Sequence, residues 1–548
     1  MRRFVLLLSA VFVAFESAPA WAQLARVDSV LEGRITRNLT LQANKRYLLR
    51  GFVNVDPPAT LTIEPGTVIY GEKETKGTLI INRGAKIIAE GTPQRPIVFT
   101  SQQPPGQRGP GDWGGIIIAG RAPINVPGGT AEIEGGTGTV YGGGANPDPE
   151  DNSGVLRYVR IEFGGIAFLP DNEINGLTLG GVGRGTTIEY VQVSYVGDDA
   201  FEFFGGTVNA RYLISYHNVD DDFDTDFGYQ GRVQFALAVR DPNIADIGGS
   251  NGFESDNDGT GTTNQPRTAP VFSNVTLIGP AATAQTSINP NFRRGMHIRR
   301  ASLLSAYNSI VMGWPDGILL DGTTTTTAAR DGELELRNMI LAGIRNNPQV
   351  KTQNPPAGFD GLTWFQTSGW GNQIFTNTAD VGLVNPYPAQ SRDFDPRPNT
   401  NAPAATGASF SWTKLQDPFF QQVDYIGAFA PNERWDLPWA NYDPQNTNYD
   451  VPTAITPSEP MGSFTLWPVY PNPAREAVTV RFMLTRPSEV HLRVYDLLGR
   501  QVAVLHEGFH TAGMHEVTWS TSALPAGLYV VQLEASGQVA LQKLTRLP

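Results

Sequence analysis

Two loops concentrate carboxylates at alternate positions. "DFDTDFG" (222–228) carries Asp222, Asp224 and Asp226, and "ESDNDG" (254–259) carries Glu254, Asp256 and Asp258, each set ahead of a glycine. Alternating carboxylates before a glycine partly imitate the opening of an EF-hand loop, whose hard oxygens suit calcium. The twelfth position counted from Glu254 is Gln265, so the chelating glutamate of that motif is missing. The six acids therefore form a candidate metal set with calcium as the ion, and solvated turn carboxylates are the alternative. Arg294, Arg299 and Arg300 follow closely. Carboxylates beside an arginine make an ordinary ladder of ion pairs.

Other chemistries are excluded more firmly. The chain has no cysteine, which removes thiol catalysis, disulfides and Cys-ligated metals. Of six histidines, only His217 and His297 lie in the body of the chain, too few for a His-rich zinc site there. His491, His506, His510 and His515 lie near the C-terminus. No Gly-x-Ser-x-Gly elbow occurs, and the glycine-rich stretch 128–144 leads into no Lys-Ser pair that would cradle phosphate. A net charge of −12 makes nucleic acid an unsuitable partner.

The elements that position the acids are repeats. "IEYVQVSYVGDDAFEFFGG" (188–206) aligns with "ARYLISYHNVDDDFDTDFG" (210–228), Tyr190 matching Tyr212. "LRYVRIEF" (156–163) precedes them, while "FSNVTLIG" (272–279), "AYNSIVMG" (306–313) and "LRNMILAG" (336–343) follow. The last three share Asn at the third place and Gly at the eighth. Short β runs recurring every 20–35 residues, with no amphipathic helix between them, describe a β solenoid. Stacking "DAFEFF", "DFDTDF", "NGFESD", "RGMHIR" and "DGILLD" puts Phe201, Phe223, Phe253, Met296 and Ile318 in one inward column. Glu202, Asp224, Glu254 and His297 then face outward, because alternate strand residues face opposite sides.

On these repeats, and on the Gly-punctuated β-branched stretch 59–101, the chain resembles the right-handed parallel β-helix proteins of the pectin-lyase-like superfamily. The resemblance implies an all-β solenoid that contacts polysaccharide, as a binding or structural surface protein. The alternative it implies is a calcium-assisted polysaccharide lyase or glycoside hydrolase, with Asp224, Glu254 and Arg299 as the catalytic candidates. The expected organisation is a signal peptide over 1–22, ending in "AWA", then the β-helix over 23–344. Residues 345–450 would form an aromatic-rich cap on its last coil, with Trp435 and Trp439 as a candidate sugar platform, and 451–466 a polar linker. The alternating strands of 467–548 predict a small immunoglobulin-like β-sandwich. Its "YPNPAREAVTVRF", "VYDLLGRQV", "LPAGLYVVQL" and "QKLTRL" are similar to the type A C-terminal sorting domain of the type IX secretion system. That likeness implies the secretion machinery as a partner, and passage through the periplasm to a secreted or outer-surface-attached state. No stretch after the signal is apolar enough to predict a transmembrane segment.

Overall fold

The computed structural model describes residues 24–169, 172–388, 393–449, 464–467, 469–484, 487–496, 499–511, 513–535 and 538–547. The expected signal segment and nearly all of the expected linker lie outside them. Two compact units divide at Val451/Pro452.

In the first unit, twenty-six strands of the described residues join through parallel pairings, each coil stacking on the one before. The ladder that carries the acids runs through β1 (Thr78–Ile81), β2 (Ile116–Ala119), β3 (Leu177–Gly180), β4 (Phe201–Phe204) and β5 (Phe223–Asp226). It continues through β6 (Phe253–Ser255), β7 (Arg294–Ile298), β8 (Asp316–Asp321) and β9 (Val350–Gln353). Its register pairs Phe201 with Phe223, Phe223 with Phe253, Phe253 with Met296 and Met296 with Ile318, the column expected from the repeats. These side chains are buried in one continuous core, and the Phe223 ring lies 5.5 Å from that of Phe201 and 5.4 Å from that of Phe253.

A corner residue bends each coil between its two other faces. Tyr158, Tyr190, Tyr212 and Phe235 hold φ of 50–60°, and Asn274, Asn308 and Asn338 hold 49–57°. Asparagine tolerates this left-handed conformation; an aromatic residue rarely adopts it. The rings offset that cost by stacking, at 4.4, 4.3 and 5.1 Å along the Tyr158–Tyr190–Tyr212–Phe235 column. The shared eighth-place glycines reach a second corner, with Gly313 and Gly343 at φ 72° and 59°.

The expected cap divides in two. Its first part adds the last strands, β9 and Gln373–Phe375, and a short helix (Gly361–Phe365) whose Trp364 and Phe365 close the end of the core. Residues 393–449 form a strap that runs back along the side of the solenoid. Backbone carbonyls of Gly407, Ser409, Tyr425, Gln421 and Asn441 accept the side-chain amides of Asn338, Asn308, Asn274, Gln234 and Gln192, at 2.7–3.0 Å. Tyr449 closes the strap on Glu162, 2.7 Å away. A second apolar core fills the space beneath it, from Ile214, Phe235, Leu237 and Ile310 on the solenoid to Phe429, Trp435 and Trp439 on the strap. Strands buried on both faces lose the alternation of a half-exposed strand, hence the unbroken "FALAV" of 235–239.

The second unit holds two antiparallel sheets, of three and four strands. Val478, Val480 and Phe482 from one meet Leu492, Val494, Val531 and Leu533 from the other in a single core. That makes a small sandwich.

Candidate functional site

The outer face of β4–β6 carries Glu202, Asp224 and Glu254 in direct register. Adjacent coils lie about 4.8 Å apart, so side chains in register approach one another wherever they point. Just before these strands a second column stacks in the turns. Asn175 Oδ1 accepts the Asp199 amide at 3.2 Å, Asp199 Oδ1 accepts the Asp221 amide at 2.8 Å, and Asp221 Oδ1 accepts the Asn251 amide. Each of these carboxyls pins the coil that follows it.

The two columns converge. Carboxylate oxygens of Asp199, Glu202 and Asp224 lie within 4.8 Å of one another, as do those of Asp221, Asp224 and Glu254, and those of Asp198, Asp199 and Asp220. Asp224 belongs to two of these triads. Glu202 is only 3% exposed, and its Oε1, like Oδ1 of Asp224, is buried with no hydrogen-bond partner. Among the described residues no Lys, Arg or His forms an ion pair with Asp199, Glu202 or Asp224. Apolar side chains close one flank, where Ile124, Ile133, Tyr141 and Ile174 pack with Phe204.

This environment raises the carboxyl pKa values. Burial first, and then neighbouring carboxylates, push Asp199, Glu202, Asp220 and Asp224 well above the usual range. Asp221 is pushed up to about 7 by burial and by Glu254, and Asp226 to about 8, mainly by burial. Glu254 goes the other way. Burial opposes its ionisation, but the His297 hydrogen bond and the Arg299 charge pull it below the usual range.

The six expected metal residues divide. Asp224 and Glu254 enter the triads. Asp222 does not share their face, a correction to the alternating reading: it precedes β5, in the turn, where strand alternation does not extend. Its Oδ1 meets Arg240 at 3.0 Å and Ser215 at 2.5 Å, fully buried. Asp226 ends β5 and accepts the Phe227 amide. Asp256 is neutralised by Arg299 and Arg300, both at 2.8 Å. Asp258 closes a turn with Thr260 and Thr262. Asp198, Asp199, Asp220 and Asp221 stand outside the expected metal set, as does Glu202, which the repeats placed only in the outward column. Their signal was present, since Asp199 and Asp221 both stand two residues before the inward phenylalanine of their coil.

Of the catalytic candidates, Arg299 is held between Glu254 and Asp256, and these charges raise its pKa although burial opposes them. A guanidinium so held is a poor base. Trp435 and Trp439 offer no open ring face, which overturns the sugar-platform expectation. They are 9% and 0% exposed, Trp435 stacks on Phe429 at 4.7 Å, and both indoles donate to strap carbonyls. Beyond Arg299 opens a cavity of about 350 Å³, lined by Thr260, Arg300, Asp321 and the first residues of helix α1 (Thr323–Asp331).

Residues 33–380 match the family model described as a pectate-lyase-like beta helix domain, and residues 468–545 that described as a secretion system C-terminal sorting domain. The chain matches no curated protein and no solved structure. The sorting tail implies handling by the type IX machinery and export to the cell surface or the extracellular space. No helix among the described residues is long and apolar enough to cross a membrane.

Proposed function

Because the chain belongs to the pectate-lyase-like β-helix family and ends in a sorting domain, we propose that it is an exported surface protein that binds polysaccharide through a calcium-loaded acidic face. One observation carries the reading: two overlapping carboxylate triads, with buried oxygens of Glu202 and Asp224 left unpartnered. A dry cluster of carboxylates must either hold protons or share a cation. The donors are all oxygen, which favours a hard ion over zinc or copper. Asp199, Glu202, Asp224, Asp221 and Glu254 would hold it, and the ion would supply positive charge to an anionic sugar. The cavity of about 350 Å³ beside Arg299 and Arg300 falls in the size range of small-ligand sites, and its threonine hydroxyls suit a sugar.

Cleavage is the second reading, favoured by Asp221, whose pKa near 7 suits an acid or base at neutral pH. Two features weigh against it. Glycoside hydrolysis sets its carboxyls about 5–5.5 or 6.5–9.5 Å apart around the sugar. Here the triad oxygens crowd within 4.8 Å and are largely buried. A lyase needs a free base, and Arg299 is committed to two acids. The test incubates the protein with a panel of uronate polysaccharides, with calcium and with chelator, measuring retention on the glycan, unsaturated products and reducing ends. Calcium-dependent retention without products is the expected result. Products would establish cleavage, and no retention on any glycan would refute polysaccharide binding.

A further inference from the structure

The outward column of the acidic face begins one coil before its acids. Thr178 on β3 stands directly opposite Glu202, which stands opposite Asp224 and, through it, Glu254. Thr178 is 1% exposed, and its Oγ1 is buried with no hydrogen-bond partner among the described residues, like Oε1 of Glu202 beside it. A hydroxyl next to a carboxylate ordinarily donates to it, at a net gain of about 1 kcal/mol. Here both oxygens are left open. At the other end of the face Asn251, 2% exposed, turns its side-chain amide to the second triad. Its Nδ2 lies 3.3 Å from Asp221 Oδ2 and 3.2 Å from Glu254 Oε2, and its Oδ1 is buried without a partner among the described residues. A half turn of the amide exchanges its two ends and puts Oδ1 where Nδ2 lies, toward both acids.

The acids themselves fall into two groups rather than one. Asp199, Glu202 and Asp224 converge within 4.8 Å, and so do Asp221, Asp224 and Glu254. No converging group among the described residues holds both Glu202 and Glu254, or both Asp199 and Asp221. Calcium–oxygen bonds of about 2.3–2.6 Å let one ion join oxygens no more than about 5 Å apart. An ion seated in either triad therefore does not reach the far acid of the other. Only Asp224 belongs to both, and a carboxylate has two oxygens to give. Charge points the same way. One dication leaves three of the five carboxylate charges unmatched. Two leave one, and Arg299 on Glu254 matches it.

We propose that the calcium on this face is two ions: an inner one on Thr178, Asp199 and Glu202, and an outer one on Asp221, Asn251 and Glu254, with Asp224 bridging the pair. Resting on the calcium reading of the face, this arrangement adds a second ion and two neutral donors to it. Hydroxyl and amide oxygens are hard donors that calcium takes beside carboxylates, and water completes each shell. The negative charge of Asp224 between the ions offsets their mutual repulsion. The inner ion joins three successive coils, through Thr178 on β3, Glu202 on β4 and Asp224 on β5.

The test uses the full chain, freed of metal with chelator and titrated with calcium chloride in a calorimeter, with bound calcium counted by atomic emission after equilibrium dialysis. The wild type should take up two equivalents. Thr178→Val should weaken one of them about tenfold or more, the scale seen when a site loses even a supporting contact, and leave the Kd of the other unchanged. Asn251→Leu should do the reverse. Neither substitution alters charge, so a selective effect marks a lost ligand rather than a changed field. Glu202→Gln and Glu254→Gln should each reduce the count to one, and Asp224→Asn should weaken both ions. Circular dichroism separates loss of a ligand from loss of the fold, and if Asp224→Asn unfolds, the two neutral substitutions decide. A single equivalent that every substitution weakens alike would overturn the pair and leave one calcium on the face, whereas no bound calcium would overturn the calcium reading itself. Two equivalents indifferent to Thr178→Val and Asn251→Leu would also overturn the proposal.

Discussion

Glu202→Gln should reverse the sign of its effect on stability according to whether calcium is present. The Glu202 carboxylate lies within 4.8 Å of those of Asp199 and Asp224. At an effective dielectric of about 20, two charges at that separation repel by about 3 kcal/mol. Without a cation the cluster avoids this by holding protons: burial first, and then this repulsion, raises its pKa values. The sign follows: a carboxyl whose folded pKa lies above its unfolded value lends stability at low pH and loses it as pH rises through the folded pKa. For Asp221, raised to about 7, the loss amounts to about 4 kcal/mol between pH 4 and 7. In chelator, the wild type should therefore lose stability steadily from pH 4 to pH 8. Glu202→Gln removes one charge and keeps the side-chain shape. It should stabilise the chelated protein at pH 8 by about 2–3 kcal/mol, less than one full pair because protonation already relieves part of the repulsion. At pH 4 it should do nothing. In saturating calcium the variant should be less stable than the wild type, having lost a ligand. Urea midpoints followed by tryptophan fluorescence at the two pH values, with and without calcium, give all four numbers. A variant weaker than the wild type at pH 8 in chelator would refute the reasoning and make Glu202 a structural hydrogen-bond acceptor.

Other outcomes follow from the same structure. Phe223→Ala empties a fully buried position stacked between Phe201 and Phe253 and should cost about 3–5 kcal/mol; an unchanged melting temperature would contradict the column. Trp439→Ala should loosen the strap and lower the melting temperature while glycan retention at low temperature is kept, and selective loss of retention would restore an aromatic platform. Deleting 467–548 should leave the body folded and held in the periplasm, measured by cell fractionation; normal surface delivery would count against the sorting role.

The acidic face was partly legible in the sequence because a solenoid turns spacing into proximity. The offset that aligned Phe201 with Phe223 also aligned Glu202 with Asp224, and the observed register repeats both. The turns were less legible. Asp222 reads as one of three alternating acids, yet the strand begins after it, and the buried guanidinium of Arg240 takes it. Asp199 and Asp221 were not singled out, because a hydrogen bond to the next coil's amide has no signature until the coils are stacked. The strap was the largest difference. Aromatic density announces burial, but its place along the solenoid depends on buried amides such as Gln192 and Gln234, whose partners lie far along the chain.

Thermal melting of the secreted body in chelator and in millimolar calcium tests most directly whether the carboxylates of Asp199, Glu202, Asp221, Asp224 and Glu254 hold calcium. A ligand at one hundred times its Kd stabilises the folded state by about 2.7 kcal/mol, so calcium should raise the melting temperature by several degrees. Asp224→Asn, which removes the acid common to the Asp199–Glu202–Asp224 and Asp221–Asp224–Glu254 triads, should abolish the rise. Identical melting curves for the wild type in chelator and in calcium would contradict the account and leave the face as buried carboxyls held together by protons.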